Sequence, residues 1–103
     1  MILAINVTHI APPNVTQGIV AASGRLLEEG GKLIFYGPFA RQGQELAEGN
    51  SKFDTTLKTR NKEWGLRHVE WVDELAGVAG LVPLDVVPMP ANNLSLVYQC
   101  PKR

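Results

Sequence analysis

Two groups of side chains in this sequence have the types and spacing for chemistry. Asn6, Thr8 and His9 follow directly on an apolar run, Ile2–Ile5, and Arg60, Trp64 and Arg67 crowd together around Gly65. The ordinary titration range of an imidazole suits His9 to act as a general base near neutral pH. The plainer alternative is a loop histidine bonded only to backbone, since no paired acid or base stands near it in the chain. In the second group, a rigid aromatic, two arginines and a glycine turn suit a lid over a pocket. Here too there is an alternative: Phe53 and Trp64 tack the segment to the core and do nothing more. If the segment is a lid, Arg60, Trp64 and Arg67 converge with Asn6, His9 and Tyr36. No spacing of His, Cys, Asp or Glu suggests a metal site. The single Cys100 cannot form an internal disulfide and reads as a buried thiol in a reducing compartment.

The elements that must position these residues centre on Arg25–Phe39. Gly30 and Gly31 suit a helix C-cap. Leu33–Tyr36 is an apolar and aromatic run suited to a buried strand, and Gly37-Pro38 cannot continue it, because proline lacks the N–H that a ladder needs. Upstream, Asn14–Glu29 reads as a helix with Asn14 as N-cap. Its apolar stripe is Val15, Ile19, Ala22 and Leu26, widened by Val20 and Leu27. With Ile2–Ile5 before it, the order is strand, helix, strand, a parallel crossover unit. Ligands collect at the carboxyl ends of such strands, which places Asn6, Thr8 and His9 where a site would lie. Four consecutive apolar residues in Ile2–Ile5 also predict a strand covered on both faces, as in the middle of a larger sheet.

Beyond Phe39 the pattern changes. Residues 40–67 lack a strand pattern, and Asn50 or Ser51 is placed to cap a short helix with Phe53 and Leu57 on one face. A helix over roughly His68–Ala79 shows Val69, Val72, Leu75, Ala76 and Ala79 on one face and stops at Gly80. Pro83 marks Leu81–Val87 as an edge strand. A turn at 88–93 then joins it to a last strand, Leu94–Cys100, so that the two pair antiparallel.

With 103 residues there is room for one domain: a strand–helix–strand over 1–39, a lid over 40–67, and a helix with a terminal hairpin over 68–103. Ten basic and ten acidic residues cancel and no basic run interrupts the chain before its end, so no nucleic-acid surface is expected. No basic segment precedes the opening apolar run, and the run is too short to span a bilayer. No membrane association is expected, and the location expected is cytoplasmic.

The motif Asn50-Ser51-x-Phe53-Asp54-x-x-Leu57-x-x-Arg60-Asn61-x-x-Trp64-Gly65-Leu66-Arg67, followed by Met89-Pro90-Ala91-Asn92-Asn93-Leu94, resembles the methyltransferase-like protein 26 family. The strand ends Ile5-Asn6-Val7-x-His9-Ile10 and Leu33-x-Phe35-Tyr36-Gly37-Pro38 resemble it as well. The resemblance covers essentially the whole chain but only the C-terminal half of that family. It implies an α/β fold: the C-terminal half of a Rossmann-like class I methyltransferase, strand order 3-2-1-4-5-7-6, of which this chain supplies strands 4 to 7. It further implies S-adenosylmethionine as cofactor of the complete fold. The pocket expected draws on Asn6, Thr8, Tyr36, Gly37, Pro38, Asn50, Phe53, Asp54, Arg60, Trp64 and Arg67, with His9 as the catalytic candidate from its place at the strand end. His68 stands where the family pattern leads one to expect an aspartate.

No Gly-x-Gly follows any strand of the chain, and no acid is placed to grip a ribose. On the resemblance, the chain carries the side of the cleft that faces the methyl group and the substrate, a small molecule or a protein. Alone it is expected to bind no cofactor and to be weakly active or inactive. The expected partners are a missing N-terminal half or a second copy. The competing expectations are a non-catalytic α/β module that dimerises through its first strand, and an unrelated enzyme built on His9.

Overall fold

A computed structural model describes residues 1–102. β1 (Ile2–Ile5) and β2 (Lys32–Gly37) pair in parallel, from Ile2 opposite Leu33 to Ile5 opposite Tyr36. They are connected through helix α1 (Pro13–Leu26), the crossover expected from the pattern. Two short strands, β3 (Phe39–Ala40) and β4 (Arg67–His68), flank helix α2 (Glu48–Arg60) and pair in parallel as a separate ribbon. Helix α3 (Val69–Val78) leads to β5 (Val82–Met89), a single turn at Pro90–Asn92, and β6 (Asn93–Gln99).

The main sheet has the order β1-β2-β6-β5, with β6 antiparallel to both neighbours. This is the 4-5-7-6 portion of the strand order implied by the resemblance. β5 lies at an edge, as Pro83 requires, and its register slips between Pro83 and Asp85. One face of the sheet makes the core. Leu33 and Phe35 of β2 and Leu96 and Tyr98 of β6 are at most 1% exposed, against Val20 of α1 and Val72 and Ala76 of α3. Each large side chain buried in this way contributes about 1.5–3 kcal/mol. The helices can approach because Gly24 has no side chain: a Cβ there would lie 2.5 Å from the Ala79 carbonyl oxygen.

Local details depart from the sequence pattern in several places. α2 begins at Glu48 with Ala47 as N-cap, so Asn50 and Ser51, expected to cap it, lie inside the helix, and the ends of the 40–67 segment, read as free of strands, join β3 and β4. α1 begins at Pro13 with Pro12 as N-cap, and no side chain caps it; a proline in the first turn gives up an N–H that had no helical partner anyway. The helix ends at Leu26, where Leu27 turns extended and buries itself in the core. Gly30 and Gly31 therefore make the turn into β2 and not a helix cap, with Gly30 left-handed (φ 81°). They are stapled to the chain's end by Gly30 N–H to Cys100 O (2.9 Å) and Cys100 N–H to Gly31 O (2.8 Å). Finally, β1 is not covered on both faces. Only Ala4 is buried, while Leu3 and Ile5 are 51% and 54% exposed, because they alternate onto the face of the sheet away from α1 and α3; β1 is also an edge strand, with β2 on one side and no strand on the other among the described residues. Among the described residues no helix is long and apolar enough to cross a membrane.

Candidate functional site

The chain leaves β1 sharply. Asn6 adopts a left-handed conformation (φ 54°) and its N–H bonds Tyr36 O of β2 at 2.8 Å. This swings the following loop across the carboxyl ends of both parallel strands, where a cleft of about 540 Å³ opens. Asn6, His9 and Pro38 line it from the strand ends, Gly49, Asn50 and Phe53 from α2, and Ala91–Asn93 from the turn between β5 and β6. Three non-glycine residues have positive φ among those described, Asn6, Ala91 and Asn92, and all three line this cleft. Such conformations cost roughly 1–3 kcal/mol, least for asparagine, and they concentrate where function holds them.

His9 is 4% exposed, and its ring meets that of Phe53 edge-on at 5.5 Å and 61°. Its Nδ1 is sealed from solvent without a hydrogen-bond partner. Buried polar atoms are nearly always paired, so an orphan of this kind calls for an explanation. Burial, and secondarily the charge of Arg67, push the imidazole below its ordinary titration range. His9 is therefore neutral at neutral pH, with a ring nitrogen free to accept a proton. Gly37 makes room for Asn6 beside it: a Cβ there would stand 3.1 Å from Asn6 Oδ1, and in ordinary contact, 3.6 Å, with His9 Cε1.

The remaining residues singled out in the sequence fall into distinct places. Asn50 Nδ2 donates to Asn92 O at 3.1 Å, tying α2 to the β5–β6 turn. Tyr36 is half-buried and accepts from Asn93 Nδ2 at 3.4 Å. Thr8 is buried, and its carbonyl accepts from Arg67 Nε at 3.0 Å. Asp54 accepts the Leu66 N–H at Oδ1 (2.8 Å) and pairs with Lys58 at Oδ2 (2.7 Å), which ends α2 against the next turn. Arg67 bonds backbone carbonyls and does not line the cleft, and neither do Arg60, which is exposed, or Trp64, which is half-buried in the turn after α2. The cleft thus brings together His9, Asn6, Pro38, Asn50 and Phe53. Gly49, Ala91, Asn92 and Asn93 join them without having been singled out by chemistry, although Asn92 and Asn93 in a turn are the residues that best tolerate left-handed backbone. A second hollow, of about 290 Å³, shares Asn50, Asn92 and Asn93 with the cleft and continues toward Arg41 and Met89. Among the described residues no three His, Cys, Asp or Glu side chains gather as metal ligands would.

The fold recurs in solved methyltransferases. An O-methyltransferase family 2 protein from Planctomyces limnophilus, in complex with apigenin, superposes with a TM-score of 0.82 at 20% identity over 94% of this chain and 29% of that one. Human N-acetylserotonin methyltransferase, in complex with SAM, gives 0.82 at 10% identity over 97% and 29%. A methyltransferase of calicheamicin biosynthesis, CalO1, in its SAH-bound form, gives 0.78 at 16% identity over 97% and 29%. The chain has the mixed α/β architecture of the C-terminal part of these structures and spans about 29% of their length. In sequence, residues 1–100 match a family model, and the chain belongs to that family, described as "Protein of unknown function (DUF938)".

Proposed function

We propose that this chain is the acceptor-facing part of an S-adenosylmethionine-dependent methyltransferase, with His9 as the base that takes the proton from the methyl acceptor. The observation that carries this reading is the sealed, unpartnered Nδ1 of a neutral histidine. The histidine lines a cleft at the carboxyl ends of parallel strands whose walls hold all three left-handed non-glycine residues among those described. The shared architecture of solved methyltransferases supports it at the level of fold. Kinship with the methyltransferase-like protein 26 family is the finer form of the same reading, carried by the Asn50–Arg67 motif and by Met89–Leu94.

The cleft does not fit the whole cofactor. No acidic side chain lines it to take a ribose diol, and no Gly-x-Gly turn follows a strand. Binding of S-adenosylmethionine to the chain alone is therefore weak, with a dissociation constant above about 10 μM, or some 7 kcal/mol. Calorimetric titration measures it, and a tighter constant would mean that the site lies elsewhere. Methyl transfer from radiolabelled S-adenosylmethionine tests the base, in the chain alone and joined to strands 1–3 of a methyltransferase fold. His9→Gln lowers any transfer by at least about 100-fold; transfer unchanged in this variant overturns the role.

A second reading has one specific observation behind it. The open edge of β1 beside exposed Leu3 and Ile5 suits a non-catalytic module that pairs with a second copy through its first strand.

A further inference from the structure

We propose that Arg67 is a positioning residue: its guanidinium, together with the Gly65 amide, holds the 8–11 loop so that His9 is presented to the cleft. This rests on the reading of His9 as a base. The loop between β1 and α1 has no regular secondary structure over most of its length, and its carbonyls need donors from elsewhere. The segment after α2 supplies them. Arg67 Nε donates to Thr8 O at 3.0 Å and Arg67 Nη2 to Ala11 O at 2.7 Å, while Gly65 N–H donates to His9 O at 3.0 Å. Three bonds thus seize the residue itself and points on either side of it.

The donor segment is itself fixed. Asn61 accepts Trp64 N–H at its carbonyl (2.9 Å) and Glu63 N–H at its side chain (3.0 Å). Leu66 N–H is bound to Asp54, and Arg67 Nη2 also reaches Glu63 O at 2.5 Å. The guanidinium therefore spans carbonyls of two segments that lie more than fifty residues apart in the chain. A planar fork with donors pointing in fixed, divergent directions suits this task, and a lysine, whose donors radiate from one atom, does not. Asp54 and Glu63 are the acids that act on Arg67, yet neither carboxylate pairs with it; its hydrogen bonds go to backbone. Arg67 lies outside the lining of the cleft, so it acts on the reaction through His9.

The test is nuclear magnetic resonance of the chain with labelled histidine, in the wild type, Arg67→Met and Arg67→Lys. The chain has two histidines, so His9→Gln assigns the His9 ring signal and leaves His68 as internal comparison. In Arg67→Met the His9 ring loses the ring-current shift of Phe53 and its titration midpoint moves up toward 6.5. Hydrogen exchange at the bonded amides of Ile10 and Gly65 quickens by at least about tenfold, the mark of local opening. Amides of β2 and β6 stay protected, whereas a merely structural role would loosen them too. Arg67→Lys keeps the charge and falls short of the wild type in ring shift and exchange. If Arg67→Met proves unfolded, Arg67→Lys decides alone. Wild-type ring shift and exchange in Arg67→Lys overturn the proposal, as does equal loss of protection throughout the sheet. These readouts do not involve methyl transfer, so the proposal stands or falls separately from the effect of His9→Gln on catalysis.

Discussion

At the scale of single residues, His9 couples the site to stability. Its imidazole is held below the ordinary value of 6.5 by burial and by Arg67. As pH falls below about 6.5 the unfolded chain takes up a proton at this position before the folded chain does. Stability due to this group is therefore greatest above 6.5 and declines through the window beneath it. His9→Gln removes that dependence: the drop in melting temperature between pH 7.5 and pH 5.5 is expected to be smaller than in the wild type. A drop of equal size would mean that other groups carry the acid sensitivity. Tyr98 makes the complementary point in the core. It is 1% exposed and donates to Asp73 at 2.6 Å, and burial followed by that bond raises its phenol far above the ordinary range. Tyr98→Phe leaves the ring in place but deprives Asp73 of its donor. A loss of about 1–2 kcal/mol is expected in urea unfolding.

At the scale of elements, glycines of opposite sign separate what a turn needs from what a helix tolerates. Gly65 has φ 148°, and a Cβ there would lie 2.9 Å from Asp54 Oδ1, an atom already committed to the Leu66 N–H. Gly65→Ala should cost roughly 1–3 kcal/mol and loosen the turn that grips His9 O. Gly18 lies exposed in the middle of α1 with open space where a Cβ would go. Gly18→Ala should therefore stabilise by about 0.5–1 kcal/mol. Ala91, at φ 62°, is the reverse case, and Ala91→Gly should relieve strain in the turn that walls the cleft. Denaturation midpoints of the three variants check all three signs; a stabilising Gly65→Ala would refute the role given to that turn.

At the scale of the whole molecule, the sheet has one packed face and one open one. Leu3 and Ile5 stand exposed beside the half-buried Ile34, Tyr36 and Val97, and β1 offers an unpaired row of backbone groups. No lysine or proline guards this strand. Covering a few hundred Å² of apolar surface would favour association by several kcal/mol at roughly 25 cal/mol/Å², before entropy is subtracted. We therefore expect the chain to self-associate in sedimentation at about 100 μM, and Leu3→Lys with Ile5→Lys to return it to monomer. A well-folded wild-type monomer at that concentration would exclude this assembly.

The amino-acid sequence by itself determined the main helices and strands and the pairing sense of β1 with β2 and of β5 with β6, but not the β3–β4 ribbon. Apolar runs bounded by Gly30-Gly31, Gly37-Pro38 and Gly80 specify strands and helices through local periodicity and backbone chemistry, and the connections specify parallel or antiparallel neighbours. The rule that ligands gather at carboxyl strand ends directed attention to Asn6 and His9, and both line the cleft found at those ends. Three further things came only from the tertiary structure. The turn at Ala91–Asn93 faces Asn50 and His9 because β6 inserts between β2 and β5, a long-range pairing. Arg67 reads in the sequence as a charge over a pocket, but its partners are carbonyls 56 and 59 residues away, groups that every residue carries and no pattern distinguishes. The apolar run Ile2–Ile5 records that such a strand is to be covered on both faces, yet coverage depends on which neighbours pack against it, and this chain supplies them on one side alone.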